Sequence, residues 1–345
     1  MIAAADLEHC EEAIRHGSLS FHAASRLLPA RVRSPALALY AFCRLADDEV
    51  DLKAEKAEAV LRLRDRLDAV YAGRPKDAAP DRAFAAIVDD FEMPRALPDA
   101  LLEGLAWDAE ARRYRTLSDV RCYSARVASA VGAMMCVLMG VRDADALARA
   151  CDLGVAMQLT NIARDVGEDA LENRIYLPLD WLEEAGLAPD AFLADPRSTK
   201  AVRAMVRRLV MEANRLYIRS EAGVAALPRR CRPGICAARF IYAGIGGQLT
   251  AMGYDSISAR ARTTKLQKIG WLGQSMLLSG ASMVMPRSPV LYAKPLEEVG
   301  FLVDAAARGT SVRSRSDALI SVLTTLEQHR QDQRARLTGR PAGLT

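Results

Sequence analysis

Two short stretches of this 345-residue chain carry carboxylates on helices that are otherwise apolar. The first, YAFCRLADDEVD, runs from Tyr40 to Asp51, and the second, MQLTNIARDVGED, runs from Met157 to Asp169. On an α-helix, residues three and four apart share a face. Tyr40, Arg44, Asp47 and Asp51 therefore form one stripe, flanked by Leu37, Ala41, Phe42, Leu45 and Val50, which a packed helix would bury. Gln158, Asn161, Asp165 and Asp169 form another, opposite Leu159, Ile162, Ala163 and Val166. One acidic helix end would ordinarily be a solvated one. Two polar lines of the same kind imply an internal cavity.

Carboxylates crowded together repel one another, and burying them without partners is costly. A hard divalent cation resolves that cost. Mg²⁺ takes one or two carboxylates, keeps part of its water, and completes its octahedron with phosphate oxygens. Two facing acidic stripes would hold several Mg²⁺ (or Mn²⁺) ions against a diphosphate. Arg44 and Arg164 stand beside these carboxylates, and a guanidinium suits phosphate oxygens. The competing reading is a structural network in which Arg44 merely neutralises Asp47 and Asp48. A neutralised diphosphate is a leaving group, and an allylic substrate that loses it becomes a carbocation. Such a cation needs a dry pocket, and the uncharged stretch VASAVGAMMCVLMGV (127–141) could wall one. For any single residue of that stretch, plain core packing is the alternative.

The elements that must hold these stripes are helical. LRLRDRLDAVYAG (61–73) places Leu61, Leu63, Leu67 and Val70 near one face and ends at Gly73. ARACDLGVAMQLTNIARDV and AVRAMVRRLVMEANRLYIRSEAGVAAL repeat apolar residues at helical spacing. No segment alternates with period two, so no sheet is expected. Breaks fall at 73–81, 93–98, 186–199 and 228–233, all too short for an interdomain linker. The expectation is an all-α fold, one domain of ten or more helices around a central cavity, with a disordered tail over 335–345.

Composition narrows the function classes. The chain is 51% hydrophobic and 26% charged, ordinary for a globular protein with a sizeable core. Net charge is +4, and the arginines of 203–239 lack interleaved aromatics, so they read as solvated faces and no nucleic-acid partner is expected. Seven cysteines without a CxxC pair argue for a reducing cytoplasm rather than disulfides or zinc. The N-terminus carries Asp6, Glu8, Glu11 and Glu12 and has no signal-peptide pattern. Val127 to Val141 falls short of the roughly 20 residues a membrane span needs. Ile269 to Pro286 is long enough but diluted by Gly270, Gly273, Gln274, Ser275, Ser279 and Ser282. Both read as buried helices, with membrane-surface contact a second reading for the latter.

The acidic stripes, together with GSLSFHAASRLLP (17–29), AWDAEARRYRTLSDVRCYSARVASAVG (106–132), NRIYLPLDWLEEAGL (173–187) and IYAGIGGQLTAMGYDSISARARTTKLQK (241–268), resemble the squalene/phytoene synthase family, and within it the bacterial phytoene synthases. The resemblance runs over roughly residues 10 to 290. It implies an isoprenoid-synthase fold over 1–290, with 291–334 as C-terminal helices of the same domain. It implies a prenyl transferase that joins two geranylgeranyl diphosphates head to head, through cyclopropyl prephytoene diphosphate, into phytoene. By that resemblance Asp47, Asp51, Asn161, Asp165 and Asp169 are metal ligands. Arg44, Gln158, Asn161, Arg164 and Tyr176 belong to the diphosphate and metal shell. Ser20, Phe21, Tyr40, Tyr123 and Tyr242 contact substrate or leaving group, and Arg260 binds phosphate at a greater distance. Where the family usually reads YCxxVAGxVG this chain has YSARVASAVG, so Ser124 and Ser129 are expected to alter pocket detail without abolishing activity.

A squalene or dehydrosqualene synthase acting on farnesyl diphosphate is the nearest rival. Reductive squalene formation needs NADPH, and no strand-GxGxxG-helix unit occurs; GIGG (244–247) lies within a helical pattern. No NADPH is therefore expected. A non-catalytic assembly factor with this fold would be expected to lose metal ligands, yet all four aspartates are present. The expected location is the cytoplasm, with peripheral contact at the inner membrane and association with other carotenoid-pathway enzymes as further expectations.

Overall fold

Several helices begin where a short polar side chain can accept the first free backbone N–H groups. The Thr116 hydroxyl accepts from the Asp119 N–H at 3.2 Å while the Asp119 carboxylate accepts from the Thr116 N–H at 2.9 Å, a reciprocal cap. Thr264 and Gln267 form a second reciprocal cap, and Asp143 and Thr199 each accept one backbone N–H at the start of two more helices. Helices end where glycine accepts a left-handed backbone, as at Gly73 (φ 69°) and Gly140 (φ 73°).

The computed structural model describes residues 2–51, 56–282 and 286–307, without the side chains of Asp51, Lys56 and Ala57. The expected tail over 335–345, and the expected helices beyond residue 307, lie outside the described residues. In chain order the helices are α1 (Ala4–Gly17), α2 (Leu19–Ser25), α3 (Ala30–Asp51), α4 (Lys56–Tyr71), α5 (Ala79–Phe91), α6 (Ala96–Ala109) and α7 (Leu117–Ser124). A π-helical turn, Ala125–Ser129, leads into α8 (Ala130–Leu138). Then follow α9 (Ala144–Leu171), α10 (Leu179–Glu184), α11 (Pro189–Ala194), α12 (Lys200–Val224), α13 (Arg232–Ala251), α14 (Lys265–Ala281) and α15 (Gly300–Ala306). No strand occurs among the described residues, so the fold is all-α as its periodicity requires.

The 28-residue α9 is the axis of the molecule. Leu147, Cys151, Val155, Leu159, Ile162 and Val166 bury one side of it, and α12, α13, α8, α7 and the π turn pack around it. The π turn meets α9 where Gly154 leaves room, since a Cβ there would stand 2.5 Å from the Ser129 Cα. Ser129 donates its hydroxyl to the Cys151 carbonyl at 2.7 Å, and Ser124 donates to the Val120 carbonyl at 2.8 Å. Both serines are fully buried between helices, so they act in packing and not in the pocket wall.

Three expectations change. The segment from Ile269 is only partly buried: α14 packs Trp271 and Leu278 on α13 and buries Ser275 and Ser279, leaving Leu266 80% and Leu277 77% exposed. An uncharged composition does not distinguish a core helix from one with an uncovered face. Leu61 lies off the buried face of α4. The arginines of 203–239 are not all solvated. Arg219 pairs with buried Asp152 at 2.8 Å, and Arg232 donates to the carbonyls of Ala225, Leu227 and Ser282. Arg239 lies against Phe240 and pairs with Glu221.

Candidate active site

Tyr40, Arg44 and Asp47 of the α3 stripe and Gln158 and Asn161 of the α9 stripe border one cavity of about 470 Å³, whereas Arg164, Asp165, Asp169 and Arg260 are not among its lining residues. Its mouth is polar. Phe21, Tyr40, Arg44, Asp47, Tyr123, Gln158, Asn161 and Tyr242 line it, all of them residues singled out by spacing or resemblance. Deeper in, the lining turns apolar, with Leu101 and Leu105 from α6, Val127 and Ala128 from the π turn, and Met135 and Met139 at α8 and its end. The stretch 127–141 does wall the cavity. Its π turn widens the helix next to the site, a position where such turns recur.

The aromatic entrance is tied together. Phe21 packs against Tyr242 with ring centroids 5.1 Å apart and against Tyr40 at 6.4 Å. A side chain at Gly17 would overlap the Tyr40 hydroxyl, so α1 can come close only as glycine. Ser18 caps α2 by accepting from the Phe21 N–H at 3.2 Å. Ser20 is not among the lining residues.

On α3, Arg44 pairs with Asp48 at 2.6 Å and Asp47 at 3.6 Å. The ion-pair alternative is thus realised beside the cavity, and it leaves Asp47 half exposed at the mouth. On α9, Asp165 is held by two arginines: Arg164 Nε donates to it at 2.7 Å and Arg260 Nε at 2.8 Å. Arg260 also reaches Glu168 at 3.1 Å. Asp169 borders a second, much smaller pocket with Arg174 and Tyr176. Burial, with the Asp165 charge adding to it and Arg174 opposing, pushes the Asp169 carboxyl up to about 8. The Asn161 side-chain oxygen is buried and has no hydrogen-bond partner among the described residues.

These residues can take a hard cation. An orphaned amide oxygen and a carboxylate that resists ionisation next to another carboxylate are both relieved by a divalent ion. Yet no group of three or more acidic, histidine or cysteine side chains is arranged to hold a metal among the described residues. The expected ready-made clusters are therefore not present there, because arginines occupy the carboxylates and the Asp51 side chain lies outside the described residues.

The spacing argument missed one residue at the mouth. Asp108 lines the cavity on α6, three and seven residues on from Leu105 and Leu101, which share its face. It accepts from the Tyr123 hydroxyl at 2.8 Å and from the Tyr176 hydroxyl at 2.7 Å. No polar stripe marks it, since the rest of that face of α6 is apolar.

A sequence model of squalene/phytoene synthases matches residues 14–267. The chain belongs to the squalene/phytoene synthase family. It is 62% identical to a phytoene synthase of Cereibacter sphaeroides over 351 aligned positions, covering 99% of both chains. It is 61% identical to a phytoene synthase of Rhodobacter capsulatus, over 95% of this chain and 97% of that one. Among solved structures, a dehydrosqualene synthase in complex with a ligand superposes with a TM-score of 0.74 at 30% identity, over 80% of this chain and 97% of the other. A squalene synthase of Alicyclobacillus acidocaldarius superposes at 0.67 with 25% identity, over 73% and 95%. Members of the family thus share the helical architecture seen here.

Proposed function

We propose that this enzyme joins two molecules of geranylgeranyl diphosphate head to head into phytoene, releasing two diphosphates. The near full-length similarity to phytoene synthases supports the reaction class, and the length of the cavity supports the substrate. The lining of α9 runs from Asn161 at the mouth to Ala146. At 1.5 Å per residue that track is about 22 Å long. A chain in extended form gains about 1.2 Å per bond, so a C20 prenyl tail of 15 main-chain bonds spans about 18 Å and a C15 tail of 11 about 13 Å. The track accommodates the longer one.

Diphosphates would sit at the mouth, where Arg44, Arg164 and Arg260 offer guanidinium groups once they leave Asp47, Asp48 and Asp165. Asp47, Asp51, Asn161, Asp165 and Asp169 would hold Mg²⁺ or Mn²⁺, which neutralises diphosphate charge and makes it a better leaving group. The C1–O bond of one substrate breaks, and C1 bonds to the double bond of the other. Loss of one proton closes a cyclopropane. The second C–O bond then breaks, the ring opens, and loss of a second proton leaves a central triene. Two protons and two diphosphates leave, and no hydride donor is needed. The apolar lining keeps water from the cations. Phe21, Tyr40 and Tyr242 supply aromatic faces at the mouth, a favourable surround for positive charge. Ser20 would act from the first turn of α2. Excess chelator should abolish turnover and added Mg²⁺ restore it, with Asp47→Asn and Asp165→Asn inactive but folded. Full turnover in chelator would exclude the proposed metal chemistry.

The location is the second part of the proposal. No helix among the described residues is long and apolar enough to cross a membrane. α14 nevertheless exposes Leu266, Ile269, Met276 and Leu277, and residues 256–296 contain no Asp or Glu while carrying Arg260, Arg262, Lys265, Lys268, Arg287 and Lys294. An amphipathic helix with a basic surround suits an anionic bilayer surface, where an insoluble C40 hydrocarbon could be delivered. Sedimentation with anionic vesicles should be strong for the wild type and lost in a Met276→Glu, Leu277→Glu double variant. Equal sedimentation of the two would overturn this placement.

A further inference from the structure

One carboxylate on the cavity lining accepts hydrogen bonds from two tyrosines. Asp108 Oδ2 accepts from Tyr123 and Oδ1 from Tyr176. The two tyrosines come from distant parts of the chain, Tyr123 from α7 and Tyr176 from the segment after α9. Their rings stack 5.1 Å apart, and Tyr114 closes the cluster at 5.3 Å from Tyr123 and 6.1 Å from Tyr176. We propose that Asp108 is the positioning residue that fixes the direction of the Tyr123 hydroxyl, so that its oxygen lone pairs and not its hydrogen face the reacting carbocations, with the Tyr176 hydroxyl anchoring the same carboxylate from behind. This inference rests on the condensation proposed above.

The physical case is directional. A phenol has one hydrogen to donate, and a carboxylate can only accept. With both hydrogens committed to Asp108, each phenolic oxygen must turn its lone pairs elsewhere. Tyr123 and Asp108 both line the cavity, so the negative end of the Tyr123 hydroxyl dipole borders the space where positive charge develops. A preorganised dipole in a water-poor site acts strongly on developing charge and costs no reorientation during the reaction. Burial, reinforced by the neighbouring Asp108 charge, holds the Tyr123 hydroxyl well above its ordinary pKa, so its hydrogen stays in place. The Tyr176 hydroxyl is shifted the same way for the same reasons. Trp107, adjacent to Asp108, is sandwiched between Arg112 at 4.0 Å and Arg126 at 4.2 Å, which stiffens this end of α6.

Asp108→Asn keeps the shape, removes the carboxylate charge and turns one acceptor into a donor. The amide nitrogen can only donate, so one tyrosine must accept from it and swing its own hydrogen away from residue 108. A cation facing that hydrogen is destabilised and less well steered. The expected result is a fall in kcat of roughly tenfold to a hundredfold, as for loss of a charge-assisted hydrogen bond, with KM within about twofold. The decisive readout is product partition. A larger share of turnovers should end as the released cyclopropylcarbinyl diphosphate or as water-quenched prenyl alcohols, resolved by liquid chromatography with mass detection. Tyr123→Phe combined with Asp108→Asn should cost less than the two changes summed, because the pair acts as a unit.

Wild-type partition in Asp108→Asn overturns the proposal, whether kcat is unchanged or falls only in step with a lowered melting temperature. If Asp108→Asn does not fold, the Tyr123→Phe, Tyr176→Phe double variant replaces it. That variant must show the shifted partition, and an unshifted one overturns the proposal. Failure of the condensation itself would appear separately, as a wild-type enzyme that makes no cyclopropyl intermediate from geranylgeranyl diphosphate.

Discussion

Replacing Ala150 by phenylalanine should convert the enzyme from a C20 to a C15 preference. Ala150 lines the cavity on α9, eleven residues before Asn161 at the mouth. At 1.5 Å per residue it lies about 16 Å down the track, short of the full length by about 6 Å. A bulky ring there leaves enough length for the roughly 13 Å C15 tail and too little for the roughly 18 Å C20 tail. The terminal isoprene unit of the longer substrate, five carbons, would lose its apolar contact. At about 0.8 kcal/mol per buried carbon the loss is about 4 kcal/mol. With about 1.4 kcal/mol per factor of ten, the ratio of kcat/KM for geranylgeranyl to farnesyl diphosphate should drop by two to three orders of magnitude. The assay is steady-state kinetics with both diphosphates on a variant whose melting temperature matches the wild type. An unchanged ratio would show that the prenyl tail does not run along α9.

Other changes test different links. Asp152 is fully buried, forms an ion pair with Arg149 at 2.7 Å and accepts from Arg219 Nε at 2.8 Å, while Arg149 also holds the carbonyls of Val290 and Ala293; Asp152→Ala should cost about 3–5 kcal/mol, read as a lower midpoint in chemical denaturation, and a loss below about 1 kcal/mol would refute the buried-network account. Burial raises the Asp255 carboxyl, but N–H bonds from Ser258 and Ile257 and nearby serine hydroxyls more than offset this and hold it at about 2. A folded pKa below the unfolded one stabilises the fold above the unfolded value and stops doing so as pH falls through 2, so Asp255→Asn should destabilise by about 2 kcal/mol near neutrality and by progressively less in acid, followed by denaturation at several pH values. Asp47→Asn should lower kcat on the order of a hundredfold or more, whereas Glu49→Gln, which faces Arg62 at 3.9 Å and does not line the cavity, should change it little; equal effects would mean that α3 presents a different side.

Much of the site was legible because polarity on a packed helix has few explanations. Tyr40, Arg44, Asp47, Gln158 and Asn161 follow helical spacing, and all five line the cavity. Asp108 escaped notice because it is the lone polar residue on its face of α6, and one carboxylate near a helix end looks solvated. Its partners, Tyr123 and Tyr176, arrive from distant segments that no spacing rule connects. The buried arginines were misread for the same reason. Arg219 is neutralised by Asp152, 67 residues away, and Arg232 is solvated by the nearby carbonyls of Ala225 and Leu227 and by the distant one of Ser282. Helix α14 shows a different limit: its composition matches that of a core helix, and only tertiary packing determines that one face stays uncovered.

The central claim is head-to-head condensation of two C20 diphosphates without a reductant. Pure enzyme given geranylgeranyl diphosphate and Mg²⁺, with no NADPH, should yield one phytoene and two diphosphates per turnover. The hydrocarbon is identified by its conjugated triene absorbance and C40 mass, and the diphosphate is counted enzymatically. A strict requirement for NADPH, or a C30 hydrocarbon from farnesyl diphosphate formed in preference to the C40 product, would contradict the account.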